Sequence, residues 1–195
     1  MDLRKHYNSK KLEIETRLND FKQLNEEDLF YELCFCLLTP QSKAKNADYC
    51  IQKLKSLNFR NKNLDPVPIL KQKIRFHNNK GRYLLELKKN YSKLKEKLEN
   101  TEDKRKFLVK NVKGLGLKEA SHYLRNTGHE NFAILDRHIL KNLNKLNIIE
   151  LPKTLTPSKY IEIEEKFKDY SKKIKIPMDH LDLLFWSEET GEIFK

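Results

Sequence analysis

The sequence contains few of the residues that cross-link a chain or anchor it in a membrane. It has only 3 cysteines, an odd number, and Cys34, Cys36 and Cys50 all lie in apolar stretches. This pattern predicts buried free thiols in a reducing compartment and excludes a disulfide framework. No run approaches the ~20 apolar residues that span a bilayer, and the first ten residues lack the apolar core of a secretory signal. The chain is therefore expected to be soluble, intracellular and not associated with a membrane.

Acidic residues are outnumbered by basic ones. The 195 residues include 28 Asp and Glu against 40 Lys and Arg, which gives a formal net charge of +12. This excess favours an anionic partner, with nucleic acid first and an acidic membrane surface second. A general preference for lysine in the source proteome would give the same excess, so charge alone does not identify the partner.

Apolar residues recur at three- and four-residue spacing along most of the chain, which predicts an all-α fold. Only residues 133–135 are a candidate strand. Asn25, Ser42, Thr101 and Thr156 are predicted N-caps, and Gly128 is a predicted C-cap. The helical patterns cover residues 11–24, 26–38, 43–57, 69–74, 80–98, 102–111, 117–127, 136–146, 157–174 and 178–188.

Glycine is also scarce, yet three of the 5 glycines lie between residues 112 and 128. Gly114-Leu115-Gly116 predicts a tight turn between two helices, where outward-facing N–H groups and a helix N-terminus suit a phosphate. Lys118 lies in the first turn of the second helix. An extended link then leads to Asp136 at the start of the next helix. Taken alone, such a lysine is more often a phosphate contact, and such an aspartate is more often an N-cap.

This stretch resembles the helix-hairpin-helix and Gly/Pro-Asp loop of the base-excision DNA glycosylase superfamily. The C-terminal segment from Trp186 to Lys195 is similar to that of the archaeal-type, or type 2, 8-oxoguanine DNA glycosylases. The resemblance implies a bifunctional DNA glycosylase and AP lyase that acts on double-stranded DNA containing 8-oxoguanine. It further implies a monomer in the prokaryotic cytoplasm, associated with the nucleoid.

The resemblance also implies the architecture. A middle helical subdomain is expected from about 29 to 124, with the hairpin at 112–128. Residues 1–28 and 129–195 are expected to form a second helical subdomain, with a DNA-binding cleft between the two. The hairpin residues Lys113, Gly114, Leu115 and Gly116 are expected to bind DNA, together with Arg137.

The same resemblance assigns the chemistry to Lys118 as nucleophile and Asp136 as assisting carboxylate. Breaking the bond between base and sugar develops positive charge on the sugar, which a carboxylate stabilises. A lysine attacks only when unprotonated, and its ordinary pKa is about 10.4. The position of Lys118 at a helix N-terminus is expected to lower that pKa.

A base within a duplex must be flipped out before such a pair can reach it. Gln41, in the loop after the second helix, is the candidate to fill the gap, although a loop glutamine is usually only solvated. By resemblance, Trp186 is the stacking platform for the flipped purine, and Phe76 and Met178 are candidates for its other face. The carboxylate of Lys195 is expected to accept a hydrogen bond from the N7–H group that distinguishes 8-oxoguanine from guanine. Otherwise Trp186 is a core indole and Lys195 is part of a frayed tail.

No catalytic cofactor or metal is expected. Relatives in the superfamily often carry an iron-sulfur cluster on four cysteines near the C-terminus, but no cysteine follows Cys50, so that cluster is expected to be absent. The resemblance implies a structural monovalent cation held by backbone carbonyls at the hairpin. Two alternatives stay open: a glycosylase for oxidised pyrimidines of the endonuclease III-like type, and a non-catalytic helix-hairpin-helix protein that only binds DNA.

Overall fold

The computed structural model describes residues 3–195, and this part of the chain contains ten α-helices and no strand. The all-α prediction is therefore confirmed, and residues 133–135 are extended without joining a sheet. The helices are α1 (Leu3–Lys22), α2 (Glu26–Leu38), α3 (Ala44–Ser56), α4 (Val67–Lys71), α5 (His77–Glu99), α6 (Lys104–Asn111), α7 (Leu117–Arg125), α8 (Arg137–Lys145), α9 (Pro157–Ile174) and α10 (Met178–Thr190).

The helices form two compact units. Leu24–Tyr123 make up the middle unit, and Leu124–Lys195 with the described residues up to Gln23 make up the terminal unit. The boundary falls within α7. None of the helices within residues 3–195 is both long and apolar enough to cross a membrane.

The middle unit is built around α2, which is buried from Phe30 to Leu38 because its sequence is apolar on almost every side. It packs against α3 and α5. Phe30 meets Tyr91 of α5 edge to face, with ring centroids 5.0 Å apart. Burial of one such ring contributes roughly 1.5–3 kcal/mol. The three cysteines are buried free thiols, as predicted.

The terminal unit is built around α10, which packs against α1, α8 and α9. Leu181, Leu183, Leu184 and Phe185 of this helix are almost fully buried. The ring of Phe185 stacks on that of Phe167 from α9, with centroids 6.1 Å apart. A helix that is buried on most sides in this way fixes the positions of the elements around it.

The predicted helix ends are partly confirmed. Asn25 and Thr156 each accept a hydrogen bond from the backbone N–H three residues on, as N-caps do. Gly128 ends α7 with φ of +83°, and the N–H groups of Gly128 and His129 donate to the carbonyls of Arg125 and Leu124, which is a Schellman motif.

Several predicted helix boundaries are wrong. The short helix predicted at 69–74 is α4 at Val67–Lys71, and the helix predicted from residue 80 begins at His77. The helix predicted to begin near residue 11 begins by Leu3. Asp103, not Thr101, caps α6, because the Thr101 hydroxyl donates to the Lys97 carbonyl instead. Ser42 does not cap α3, whose N-cap is Lys43.

Candidate active site

The turn between α6 and α7 requires glycine at its first position. Gly114 has φ of +91°, and a Cβ atom there would lie 2.5 Å from Cδ2 of Tyr83. No other residue type fits both the backbone conformation and this close approach. The Leu115 N–H donates to the Val112 carbonyl at 3.1 Å, and the Leu115 side chain is buried. The predicted helix-hairpin-helix is therefore confirmed in the middle unit.

Lys118 lies in the first turn of α7, where Glu119 binds it. The Lys118 Nζ atom is 3.0 Å from Oε1 of Glu119, and the other carboxylate oxygen accepts a hydrogen bond from the Gly116 N–H at 3.2 Å. A glutamate three residues after the N-cap that binds the N-cap N–H is half of a capping box. The Lys118 side chain is 27% exposed, so it is partly accessible to solvent. Lys113, by contrast, is fully on the surface, 4.0 Å from Glu86.

A buried lysine holds the loop that contains Gln41. The Nζ atom of Lys80 donates to the carbonyls of Leu38 at 2.8 Å and Pro40 at 2.6 Å, and to Oγ of Ser42 at 3.2 Å. Gln41 itself has φ of +53° and an exposed side chain. These three contacts satisfy all three donors of the ammonium group.

The pKa of Lys80 is lowered to about 8, mainly by burial and in smaller part by the positive charge of Lys118. The two lysines are therefore electrostatic neighbours within the middle unit.

Phe76 precedes α5 and its backbone lies in the left-handed helical region, with φ of +56°. Its ring is 53% exposed, and the guanidinium of Arg75 lies 5.4 Å from the ring centroid. A large aromatic ring held on the surface in a strained conformation suggests a binding role. Phe76 thus shares the middle unit with the hairpin and with Gln41.

Asp136 caps α8 in the terminal unit with a single oxygen. Its Oδ1 atom accepts hydrogen bonds from the N–H groups of His138 at 2.8 Å and Ile139 at 2.9 Å. Within residues 3–195, no group donates a hydrogen bond to its Oδ2 atom. The capping role and a chemical role are therefore compatible, since one oxygen fixes the side chain and the other is available.

The first turns of α8 carry basic groups that are partly neutralised. Arg137 is exposed and its Nε atom donates to Nε2 of His138 at 3.1 Å. The carboxylate of Glu189 lies 3.7 Å from Nδ1 of His138 and 3.0 Å from Nζ of Lys141. The hydrogen bond from Lys141 lowers the pKa of Glu189. Arg137 is therefore the more accessible cation for a phosphate.

The residues that follow α10 pack on α10 and α1 of the terminal unit. The rings of Trp186 and Phe194 stack with centroids 6.1 Å apart, and Nε of Arg17 donates to the Phe194 carbonyl. Lys195 places its Nζ atom 5.9 Å from the Phe194 ring centroid. Trp186 is half-buried, but Met178 is only 2% exposed. Met178 is thus part of the core here, and its role at a pocket stays a prediction.

The structure also contains functional candidates that the sequence interpretation missed. One is the role of Lys80 in holding the loop, because the sequence places this lysine only among the basic residues expected near phosphates. The Gly-x-x-Glu spacing of a capping box could have identified another, Glu119. Another is a buried ion pair between Arg125 and Asp182 in the terminal unit. Nothing in the sequence near Lys80 or Asp182 marks these residues as buried. Across residues 3–195, no three His, Cys, Asp or Glu side chains are grouped so that they could hold a metal ion.

Comparison with known proteins places these features in one family. Residues 14–176 match the family model described as 8-oxoguanine DNA glycosylase. The chain is 48% identical to the 8-oxoguanine DNA glycosylase/AP lyase of Fusobacterium nucleatum, over 100% of this chain and 96% of the relative. It is 38% identical to the Methanocaldococcus jannaschii protein of the same name, over 93% of this chain and 91% of the relative.

Solved structures agree with these sequence matches. The chain superposes on the Methanocaldococcus jannaschii 8-oxoguanine glycosylase/lyase in complex with a 15mer DNA containing 8-oxoguanine, with a TM-score of 0.87, 33% identity and 100% coverage of both chains. It superposes on the 8-oxoguanine DNA glycosylase of Thermotoga maritima with a TM-score of 0.88 and 31% identity, over 100% of this chain and 97% of the other. With a glycine hairpin followed by Lys118, a capping Asp136 and matches along its whole length, the chain belongs to the 8-oxoguanine DNA glycosylase family.

Proposed function

We propose that this chain excises 8-oxoguanine from DNA and cleaves the strand at the resulting abasic site. The main support is that Lys118 follows a glycine hairpin in a chain matched over almost its whole length by proteins named 8-oxoguanine DNA glycosylase/AP lyase. The +12 charge supports a DNA partner. The accessible lysine and the capping aspartate supply the two groups that this chemistry requires.

Asp136 is the proposed electrostatic partner of the sugar. As the base departs, positive charge develops on the deoxyribose ring, and a carboxylate oxygen beside the ring stabilises that charge. The Oδ1 atom of Asp136 is fixed by two backbone N–H groups of α8, which leaves Oδ2 to face the substrate. A fixed carboxylate does not have to reorient during the reaction, so its full effect is present in the transition state.

Lys118 is the proposed nucleophile. Its unprotonated amine forms a bond to C1′ while the bond from C1′ to the base nitrogen breaks, and the base leaves with that electron pair and takes up a proton. Opening of the sugar ring gives a protonated imine. Loss of a C2′ proton then expels the 3′ phosphate, and the strand breaks by β-elimination. The Lys118 amine must leave Glu119 before it attacks, since its Nζ atom lies 3.0 Å from Oε1 of Glu119.

The remaining predicted residues are assigned to binding. The hairpin backbone from Gly114 to Gly116, with Lys113, is proposed to bind the DNA backbone, and Arg137 a further phosphate. Gln41 is proposed to fill the gap left by the flipped nucleotide. The proposed contacts of the lesion base are Phe76, Trp186, Met178 and Lys195.

A nicking assay on a duplex with a single 8-oxoguanine tests this function. We expect the protein to release the base and cut the strand, and borohydride to trap it covalently on the DNA. Lys118→Gln should abolish trapping, whereas Lys89→Gln, which removes an exposed lysine of α5, should not. Trapping of the Lys118→Gln protein at the normal level would refute the assignment. Cutting only at an oxidised pyrimidine would favour the endonuclease III-like alternative, and binding without cutting would favour the non-catalytic one.

A further inference from the structure

The segment that leads to Asp136 is buried and extended but has no neighbouring strand in the described part of the chain. Ala133, Ile134 and Leu135 are at most 7% exposed. In a sheet, the N–H groups of such a segment would be paired with an adjacent strand. Here each of them needs another partner, because a buried N–H group without one is destabilising.

Side chains of α9 and α10 take the place of that strand. The N–H groups of alternate residues in an extended chain point to the same side. The Ala133 N–H donates to Oε1 of Glu164 at 2.8 Å, and just before the extended stretch the N–H of Asn131, a residue with φ of +67°, donates to Oδ2 of Asp179 at 3.2 Å. The hydroxyl of Tyr160 completes the series.

Tyr160 contacts the segment at two places. Its hydroxyl donates to the Ala133 carbonyl at 2.5 Å and accepts from the Leu135 N–H at 3.3 Å. Leu135 immediately precedes Asp136, and the Asp136 N–H donates back to the Ile134 carbonyl at 2.7 Å. The Tyr160 hydroxyl therefore binds the residue that immediately precedes the capping aspartate.

We propose that Tyr160 and Glu164 are positioning residues that fix the backbone before Asp136 and so orient its carboxylate for excision. This inference rests on the catalytic role proposed for Asp136. The two side chains are four residues apart and thus lie on the same face of α9. Both are at most 5% exposed.

The helix that carries them is well anchored. α9 is 18 residues long and is capped by Thr156. It buries Ile163, which lies between the two positioning residues, and Phe167, which follows them. A reacting group must be held within about 0.5 Å of its productive position. A rigid helix that grips alternate backbone groups of the preceding segment meets this requirement better than a free loop does.

Tyr160→Phe tests the inference, because it removes the hydroxyl and keeps the ring. We expect single-turnover excision of 8-oxoguanine to fall by about 10–100-fold, with the Kd for the lesion duplex unchanged. Tyr170→Phe makes the same chemical change on the same helix at a half-buried site away from the segment, and it should leave the excision rate unchanged.

A double-mutant cycle with Asp136→Asn separates positioning from general damage. If Tyr160 acts through Asp136, the double variant should excise no more slowly than Asp136→Asn alone. Full additivity of the two effects, or wild-type excision by Tyr160→Phe, would overturn the inference. Wild-type excision by Asp136→Asn would instead overturn the catalytic role proposed for Asp136, and absence of excision by the wild-type protein would overturn the proposed function, so these failures are distinguishable.

Glu164 provides a second test if Tyr160→Phe does not fold. Glu164→Gln keeps an oxygen acceptor for the Ala133 N–H, whereas Glu164→Leu removes it. We expect Glu164→Leu to lose more of the excision rate than Glu164→Gln does, at equal affinity for the duplex. Equal rates for these two variants would count against the positioning role.

Discussion

Arg125 and Asp182 form an ion pair in the interior of the terminal unit, with 3.5 Å between Nη2 and Oδ2 and side chains only 2% and 6% exposed. The pKa of Asp182 is raised from 3.8 to about 7, mainly by burial and in smaller part by the Asp136 and Asp179 carboxylates, while the positive charge of Arg125 opposes the rise. Asp182 is therefore a group whose protonation state changes near neutral pH.

This raised pKa predicts how stability depends on pH. Between pH 3.8 and about 7, folded Asp182 keeps a proton that the unfolded chain has released. The free energy of unfolding therefore contains a contribution that is complete at low pH and is lost as pH rises to about 7. Since one pKa unit corresponds to about 1.4 kcal/mol, the loss is on the order of a few kcal/mol.

Asp182→Asn should remove this dependence. Urea unfolding from pH 4 to 8 should show that the free energy of unfolding of the wild type falls relative to that of the variant up to about pH 7. Above that pH the difference between the two proteins should be constant. The slope is the informative quantity, because Asp182→Asn also removes the ionised carboxylate that Arg125 faces above pH 7 and changes stability for that reason as well. Asp169→Asn, at a site with 74% side-chain exposure, is the control. Parallel curves for wild type and Asp182→Asn would contradict the prediction.

Replacement of Lys80 is expected to disorganise the loop that carries Gln41. Lys80→Met removes the donor to the carbonyls of Leu38 and Pro40, at a cost of roughly 1–3 kcal/mol for each carbonyl left unpaired. We expect excision from duplex DNA to fall at least tenfold, because that step needs the flipped nucleotide replaced in the stack. Trapping on a preformed abasic site in single-stranded DNA should fall less.

Two further variants grade this effect. Ser42→Ala removes the longest of the three Lys80 contacts, at 3.2 Å, together with the acceptor of the Arg75 N–H at 3.3 Å, and should have an intermediate phenotype. Lys89→Met makes the matching change at an exposed position of α5 and should resemble wild type. If Lys80→Met reduced duplex excision and single-strand trapping equally, the lysine would be supporting the whole unit rather than the loop.

Local signals explain which parts of the fold were predictable. Asn25, Thr156 and Gly128 act on backbone groups within a few residues of themselves, so the sequence suffices to identify them. Ser42 was misassigned as an N-cap because its hydroxyl binds Lys80, a partner 38 residues away. The residues next to Ser42 in the sequence do not indicate that such a distant partner competes for its hydroxyl.

The same limit applies to the candidate site. The hairpin glycines and Lys118 were predictable because their pattern is continuous in sequence. The side chains that hold the segment before Asp136 were not, since they are 25 to 48 residues from the N–H groups they bind. Glu164 and Asp179 look like ordinary surface carboxylates in the sequence, and only the packing of α9 and α10 buries them.

Deletion of Lys195 tests its proposed contact with the lesion. The C-terminal segment packs on Trp186 through Phe194, so removal of Lys195 alone should leave the stack intact. We expect the ratio of excision rates for 8-oxoguanine and guanine to fall by about 10-fold or more, as for the loss of one hydrogen bond with a charged group. Affinity for undamaged duplex should change little. An unchanged ratio would argue that Lys195 does not read the lesion.

Gly114→Ala should destabilise the protein more than Gly191→Ala does, because, of these two glycines, only Gly114 is in close contact with another side chain. A Cβ atom at Gly114 would meet the Tyr83 ring at 2.5 Å, in a backbone conformation with φ of +91°. Gly191 has φ of +83° but nothing within 4 Å of the added Cβ atom. Gly191→Ala therefore measures the conformational cost alone, about 1–2 kcal/mol.

The excess cost of Gly114→Ala over Gly191→Ala then reports the collision with Tyr83. We expect a further 1–3 kcal/mol in urea unfolding, because overpacking forces the ring or the turn to move. Affinity for duplex DNA should also fall, since the outward N–H groups of the turn no longer converge on one phosphate. Gly114→Ala combined with Tyr83→Ala, which removes the colliding ring, should recover part of the lost affinity. If the double variant binds DNA no better than Gly114→Ala, the loss of affinity comes from the strained backbone at residue 114 and not from the collision with Tyr83.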